Sequence, residues 1–230
     1  MSHISHSPRP SVPLLVFDLD GTLVDSVPDL LACANRMLRH RALDDLTADD
    51  LRPMVGDGIP TLVQRVLAHR GAVADDQAIE AYTADYTAHA ADASQLFEGI
   101  APMLQVAVDT GWRLAVCTNK PVLAARALLA ALGIEGLFAA IGGGDSFPAR
   151  KPDPAHLLGT ISLANGMPGR SVMVGDHRND VASGVGAGVP VIFATWGYGP
   201  EEMGQGAGAT LSDPTLIPAL ARWLLSRSST

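Results

Sequence analysis

Val12-Pro13-Leu14-Leu15-Val16-Phe17-Asp18-Leu19-Asp20-Gly21-Thr22 is an apolar run that ends abruptly in two acids and a glycine. An unbroken apolar run without alternation predicts a strand buried on both faces, and the acids place its carboxyl end at an open site. Four later stretches repeat the pattern: 113–117, 138–141, 171–175 and 189–194. Helical patterns at 100–109, 121–132, 153–165 and 178–187 lie between them, with Pro102, Pro121 and Pro154 in first turns and Gly111, Gly133, Gly166 and Gly188 as stops. Strand alternating with helix predicts a doubly wound α/β domain, its five strands forming a mainly parallel sheet with helices on both faces.

The first and second strands are almost a hundred residues apart, far more than one crossover needs. Segments 26–40, 47–54, 59–70 and 75–93 all have helical spacing, with Leu30, Ala34, Met37 and Leu38 on one face of the first and Leu62, Val66 and Ala68 on one face of the third. The economical reading is a small helical insert over 25–95, overhanging a core of 12–24 and 96–226, with 1–11 and 227–230 as flexible ends. A Gly-rich loop over 197–210 and a last helix over 215–225, striped by Leu216, Leu220 and Leu224, complete the chain.

The 230 residues are 47% hydrophobic and 17% charged, which suits a large core and excludes wholesale disorder. A net charge of -8 supplies no general field for nucleic acid or an anionic membrane, so an anionic ligand must be held locally. No basic aromatic stripe, signal-peptide core or bilayer-length apolar run occurs, and Cys33 and Cys117 look like buried thiols; the expectation is a soluble cytoplasmic protein, monomer or homodimer, without nucleic-acid or membrane partners.

Four motifs fall at expected strand ends. In the first, Asp18 can attack a phosphorus centre while Asp20 exchanges protons with the leaving group and with water, although acids at a strand end also simply face solvent. In the second, Thr118-Asn119-Lys120 precedes a helix whose free N–H groups make a phosphate seat, and Thr118 alone would serve equally as a cap. In the third, Lys151, one of only two lysines against fourteen arginines, is fixed by Pro152 and Pro154 and offers a compact positive charge to a phosphoryl group. In the fourth, Gly175-Asp176-His177-Arg178-Asn179-Asp180, Asp176 offers a hard oxygen to a divalent cation, with Asp180 supporting from the first helical turn. Carboxylates without a convergent His or Cys cluster suit Mg2+ better than zinc.

These four motifs, in this order and with the helical insert after the first, resemble the haloacid-dehalogenase-like hydrolase superfamily, and within it the bacterial phosphoglycolate phosphatases. The resemblance implies a Rossmann-like core with a small α-helical cap. It implies Asp18 as nucleophile, Asp20 as general acid/base and Lys151 as charge stabiliser, with Thr118 and Asn119 at the phosphoryl group. Asp18, the backbone carbonyl of Asp20 and Asp176 would hold Mg2+, with Asp180 behind them. An acid at position 20 favours phosphate-ester hydrolysis over dehalogenation. The implied substrate is a small phosphorylated metabolite, 2-phosphoglycolate foremost; a sugar phosphate, nucleotide or pyrophosphate, a phosphosugar mutase and an inactive binding protein are the alternatives. Candidates for recognising the leaving group are Arg52, Arg65, His177, Arg178 and the backbone of Gly56-Asp57-Gly58.

Overall fold

A computed structural model describes residues 12–89 and 91–227. Strand β1 (Leu14–Phe17) is completely buried. After it come β2 (Val24–Asp25) and four helices: α1 (Val27–His40), α2 (Ala48–Leu51), α3 (Ile59–His69) and α4 (Asp76–His89). The short β3 (Gln95–Leu96) then leads into α5 (Ile100–Asp109), β4 (Arg113–Cys117), α6 (Val122–Ala131), β5 (Phe138–Gly142) and α7 (Pro154–Leu163). The remainder is β6 (Ser171–Gly175), α8 (Arg178–Ala187), β7 (Val191–Ala194), β8 (Ala209–Leu211) and α9 (Ile217–Arg227).

Six strands form one parallel sheet in the order β5-β4-β1-β6-β7-β8, with β1 between β4 and β6. Because successive side chains point to opposite faces, Leu15, Phe17, Leu114, Val116, Val172 and Val174 pack beneath α5, α6 and α9. Leu14, Val16, Ala115, Cys117 and Met173 instead meet Leu157 and Ile161 of α7 and Val181 of α8. The expected doubly wound α/β architecture, helices on both faces, is therefore present. Strand β8 is the sixth strand, inside the stretch read as loop; its three residues are partly or fully exposed and carry no buried apolar run to betray them.

Helices α1 to α4 enclose their own apolar cluster, to which Leu30, Leu51, Val63, Val66, Leu67, Tyr82 and Tyr86 contribute. No strand was expected between 25 and 95, yet β2 and β3 pair antiparallel where the chain leaves and re-enters the core. Asp29 reinforces this join: its buried carboxylate accepts hydrogen bonds from the backbone N–H groups of Ala93 and Ser94 and from the Ser94 hydroxyl.

Several positions differ from those the sequence predicts. On α9 Ile217, Pro218, Ala221 and Leu224 are buried and Leu220 partly so, while Leu216 lies in the 3₁₀ turn before the helix and is exposed. In α3 the buried positions are Ile59, Leu62, Val63, Val66 and Leu67, and Ala68 faces solvent; in α1 Met37 is only partly buried. Helix α7 ends at Leu163, and Asn165 just beyond it takes the left-handed conformation (φ 51°), where the sequence places the stop at Gly166. Arg227 belongs to α9; residues 1–11 and 228–230, read as flexible ends, lie outside the described residues. Both cysteines are buried free thiols, and no described helix is long and apolar enough to cross a membrane.

Candidate active site

The four motifs meet at the carboxyl edge of the central strands. Asp18 extends β1 by one rung, its N–H donating to Val174 O at 2.9 Å. The chain then turns back at Gly21 (φ 86°), where a Cβ would stand 2.4 Å from Asp176 Oδ2; only glycine permits that approach. Thr22 follows, and its hydroxyl donates to Asp176 Oδ1 at 2.8 Å. The N–H groups of Tyr198 and Gly199 hold the other oxygen of Asp176, at 2.8 and 3.3 Å.

Lys151 is buried among acids. Its Nζ lies 2.9 Å from Asp18 Oδ1 and 2.6 Å from Asp180 Oδ1. Asp180 also closes a reciprocal cap on α8, accepting from the His177 N–H at 3.0 Å, while His177 Nδ1 accepts from the Asn179 N–H at 3.2 Å. Asp18 Oδ1 accepts from the Leu19 N–H at 2.7 Å, and among the described residues no donor reaches Asp18 Oδ2.

Burial sets the electrostatics. Removal from water, with Asp180 close by, pushes Asp18 up to about 6 despite Lys151. Burial beside Asp18 and Asp180 pushes Asp176 up to about 7. Burial alone would lower Lys151, but Asp18 and Asp180 outweigh it and keep the ammonium charged. Asp18, Asp176 and Asp180 offer oxygens that lie within 4.8 Å of one another, so one lysine serves a cluster richer in negative charge. A hard dication fits that deficit and that all-oxygen donor set.

Thr118 and Asn119 are buried beside this cluster, at the end of β4. The Thr118 hydroxyl accepts from the Lys120 N–H at 3.1 Å, and Asn119 Nδ2 donates to Gly56 O and Lys151 O, both at 3.0 Å. Asn119 Oδ1 is buried without a partner among the described residues. A cavity of about 30 Å³ is lined by Asp18, Asp20, Thr118, Asn119 and Lys120 from the core side, and by Leu30, Val55, Gly56, Gly58, Ile59 and Leu62 from the insert.

The structure brings Gly56 and its loop to the cavity but leaves the candidate arginines outside its lining. Arg52 pairs with Asp49 at 2.6 Å, and Arg65 with Asp57 at 2.6 Å. Arg178 is exposed beside Val181 and Met203. The His177 ring packs on Gly56 (φ 117°), where a Cβ would come within 2.9 Å of its Cδ2; burial lowers its pKa.

A family model described as haloacid dehalogenase-like hydrolase matches residues 15–194. The chain belongs to that family. Among its relatives, a phosphoglycolate phosphatase of Agrobacterium fabrum is 40% identical over 227 residues, covering 96% of this chain and 97% of the relative. One of Rhodospirillum rubrum is 38% identical over 219 residues, covering 91% and 90%. A crystal structure from Haemophilus somnus, described as a predicted phosphoglycolate phosphatase, superposes with a TM-score of 0.83 at 28% identity, covering 91% of this chain and 97% of that one. This haloacid dehalogenase-like hydrolase is a phosphatase.

Three side chains in or beside the candidate site are not singled out by the sequence. Lys120 is the cation in the cavity lining, with Nζ 2.7 Å from Asp20 Oδ1; its rarity as one of two lysines was the available signal. Tyr86, on α4, accepts from the same Nζ at 2.6 Å, and nothing in its helical spacing sets it apart from a core tyrosine. The Tyr198 hydroxyl accepts from the N–H groups of Ser26 and Val27 and donates to Asp25, joining the Gly-rich segment to the first turn of the insert.

Proposed function

We propose that this phosphatase is a Mg2+-dependent phosphomonoesterase that works through an aspartyl-phosphate on Asp18 and hydrolyses 2-phosphoglycolate. One observation carries the reading: Asp18 lines the cavity with one oxygen tied to Lys151 and the Leu19 N–H, and the other free of protein donors among the described residues. A buried carboxylate oriented through one oxygen is a nucleophile in waiting.

Asp18 attacks phosphorus, and the bond to the leaving oxygen breaks while Asp20 delivers a proton to that oxygen. Asp20 then takes a proton from water as the water attacks the aspartyl-phosphate, which restores Asp18 and releases phosphate. Lys151 neutralises charge on Asp18 and on the phosphoryl oxygens, while the Thr118 hydroxyl and the N–H groups opening α6 receive them. Asp18, the Asp20 carbonyl and Asp176 would hold Mg2+, with Asp180 supporting; when bound, the ion supplies neutralisation of the phosphoryl charge.

The insert acts as a cap over 25–95 on a core of 12–24 and 96–226, a division supported by its separate apolar cluster and by the β2–β3 join. Leu30, Val55, Ile59 and Leu62 of the insert wall the cavity opposite Asp18 and Asp20, where the leaving group would lie. The names of the relatives support the same substrate.

The test is a phosphate-release screen over 2-phosphoglycolate, sugar phosphates, nucleotides, pyrophosphate and aryl phosphates, with Mg2+ and with EDTA. The expected result is the highest kcat/KM for 2-phosphoglycolate and loss of turnover in EDTA. Equal kcat/KM across the panel would remove that substrate and leave the phosphatase. Undiminished turnover by Asp18→Asn would remove the covalent route.

A further inference from the structure

Helix α4 of the insert reaches Lys120, the partner of Asp20, through the Tyr86 side chain. Among the described residues the Asp20 carboxylate receives a single side-chain hydrogen bond, from Lys120 Nζ to Oδ1 at 2.7 Å; its Oδ2 has no protein donor. Lys120 is itself buried, and the other partner of its ammonium is the Tyr86 hydroxyl at 2.6 Å, with the ring centroid 4.3 Å away. Tyr86 stacks on Tyr82 at 6.3 Å and an interplanar angle of 13°, and the Tyr82 hydroxyl donates to Leu30 O in α1 at 2.9 Å. A buried relay of packed rings and hydrogen bonds thus runs from the middle of the insert to Asp20.

The geometry points to Tyr86 as a positioning residue for the general acid/base: through Lys120 it fixes the Asp20 carboxylate, and it does so while α4 is seated on the core. This rests on the reading of Asp20 as the acid. A lysine on four rotatable bonds orients a carboxylate only if its own head is held, and Tyr86 is what holds it. With Oδ1 anchored, Oδ2 is left to pass its proton to the leaving oxygen as the P–O bond breaks and the Asp18–P bond forms. Seating of the insert and orientation of the acid become one event, so the acid is ordered when the cavity is closed to bulk water.

The readout is the dependence on leaving group, because an alkoxide needs the proton and p-nitrophenolate does not. First-turnover rates are measured with Mg2+ for the best alkyl phosphate from the screen above and for p-nitrophenyl phosphate. The variants are Tyr86→Phe, Lys120→Met, their double and Asp20→Asn. The alkyl-to-aryl rate ratio is expected to fall about tenfold in Tyr86→Phe and about a hundredfold in Lys120→Met, within the range of general acid catalysis. KM should stay within about twofold, and the double variant should be no worse than Lys120→Met, as for residues acting along one path. Loosened packing would slow both substrates together and leave the ratio alone.

Wild-type ratios in Tyr86→Phe and Lys120→Met would overturn the proposal, as would a raised KM with kcat intact, which would make Lys120 a substrate ligand. If those two ratios are normal while that of Asp20→Asn falls, the path through Lys120 and Tyr86 is wrong and Asp20 still stands as the acid. If Asp20→Asn also leaves the ratio unchanged, the reading of Asp20 as acid fails and takes this proposal with it. Tyr86→Phe keeps the ring and its packing; if it does not fold, Lys120→Met decides the matter by the same ratio.

Discussion

Replacing Lys151 by Met tests the electrostatics of the site most directly. The ammonium, 2.9 Å from Asp18 and 2.6 Å from Asp180, is the cation in contact with a buried cluster that also contains Asp176. Methionine roughly fills the same volume but leaves three carboxylates facing one another. Removing one partner of a buried ion pair costs about 3–5 kcal/mol. For a chain of this size each kcal/mol moves Tm by about 2–4 °C, so a fall of about 6–20 °C is expected at pH 7.5 without metal.

The pH dependence has a definite sign. Asp18 and Asp176 have folded pKa values of about 6 and about 7, above the ordinary 3.8, so between these values the folded state binds more protons than the unfolded chain. Their contribution to stability therefore declines as pH rises from about 4 to about 7. Loss of Lys151 raises Asp18 further, and the Tm deficit of Lys151→Met should be smaller at pH 5 than at pH 7.5. Thermal denaturation by circular dichroism at the two pH values, with EDTA and with Mg2+, is the assay; Mg2+ should narrow the deficit by supplying charge to the same oxygens. A deficit below about 2 °C at pH 7.5, or one equal at both pH values, would refute the electrostatic account of the cluster.

In the proposed Mg2+ site, protons and metal would compete for Asp18 and Asp176, so Mg2+ affinity should weaken below pH 7 by about tenfold per unit for one displaced proton. Calorimetry at pH 6 in buffers of different ionisation enthalpy reads the released proton directly, and its absence would rule this linkage out. Asn179 Nδ2 donates to Asp57 Oδ1 at 2.7 Å; burial would raise Asp57, but this bond and the Arg65 pair hold its carboxyl below the usual range. Asn179→Ala should free the 56–58 loop by about 1–1.5 kcal/mol, read as roughly tenfold faster amide hydrogen exchange there. Unchanged exchange would mean that the loop is held by its other contacts.

The alternation of apolar strand and helix was legible because each central strand is buried on both faces, and desolvation demands the same residue types wherever the strand sits in the sheet. Strand β8 escaped because an edge strand half in water needs no such run. The β2–β3 pair escaped because two residues per strand leave no period to read. At the site, Asp18, Thr118, Lys151 and Asp176 stand within a residue or two of strand ends or in proline-fixed turns, where local chain geometry and chemistry coincide. The arginines of the insert could not be assigned this way: Arg52 and Arg65 were equally free to face the cavity or an acid, and three-dimensional packing gave each an aspartate.

The amino-acid order by itself determined the parallel core, the run of helices between its first two strands, the acids and Thr118 at strand ends and Lys151 in its proline-fixed turn, because these follow from local periodicity and from residues adjacent in the chain. Tertiary structure alone decided that Lys151 bridges Asp18 and Asp180, that Lys120 holds Asp20, and that Tyr86 reaches Lys120 from the insert. Those contacts join residues tens to more than a hundred positions apart, and a pairing at that distance is set by how helices and strands pack, for which no single stretch of chain carries a signal.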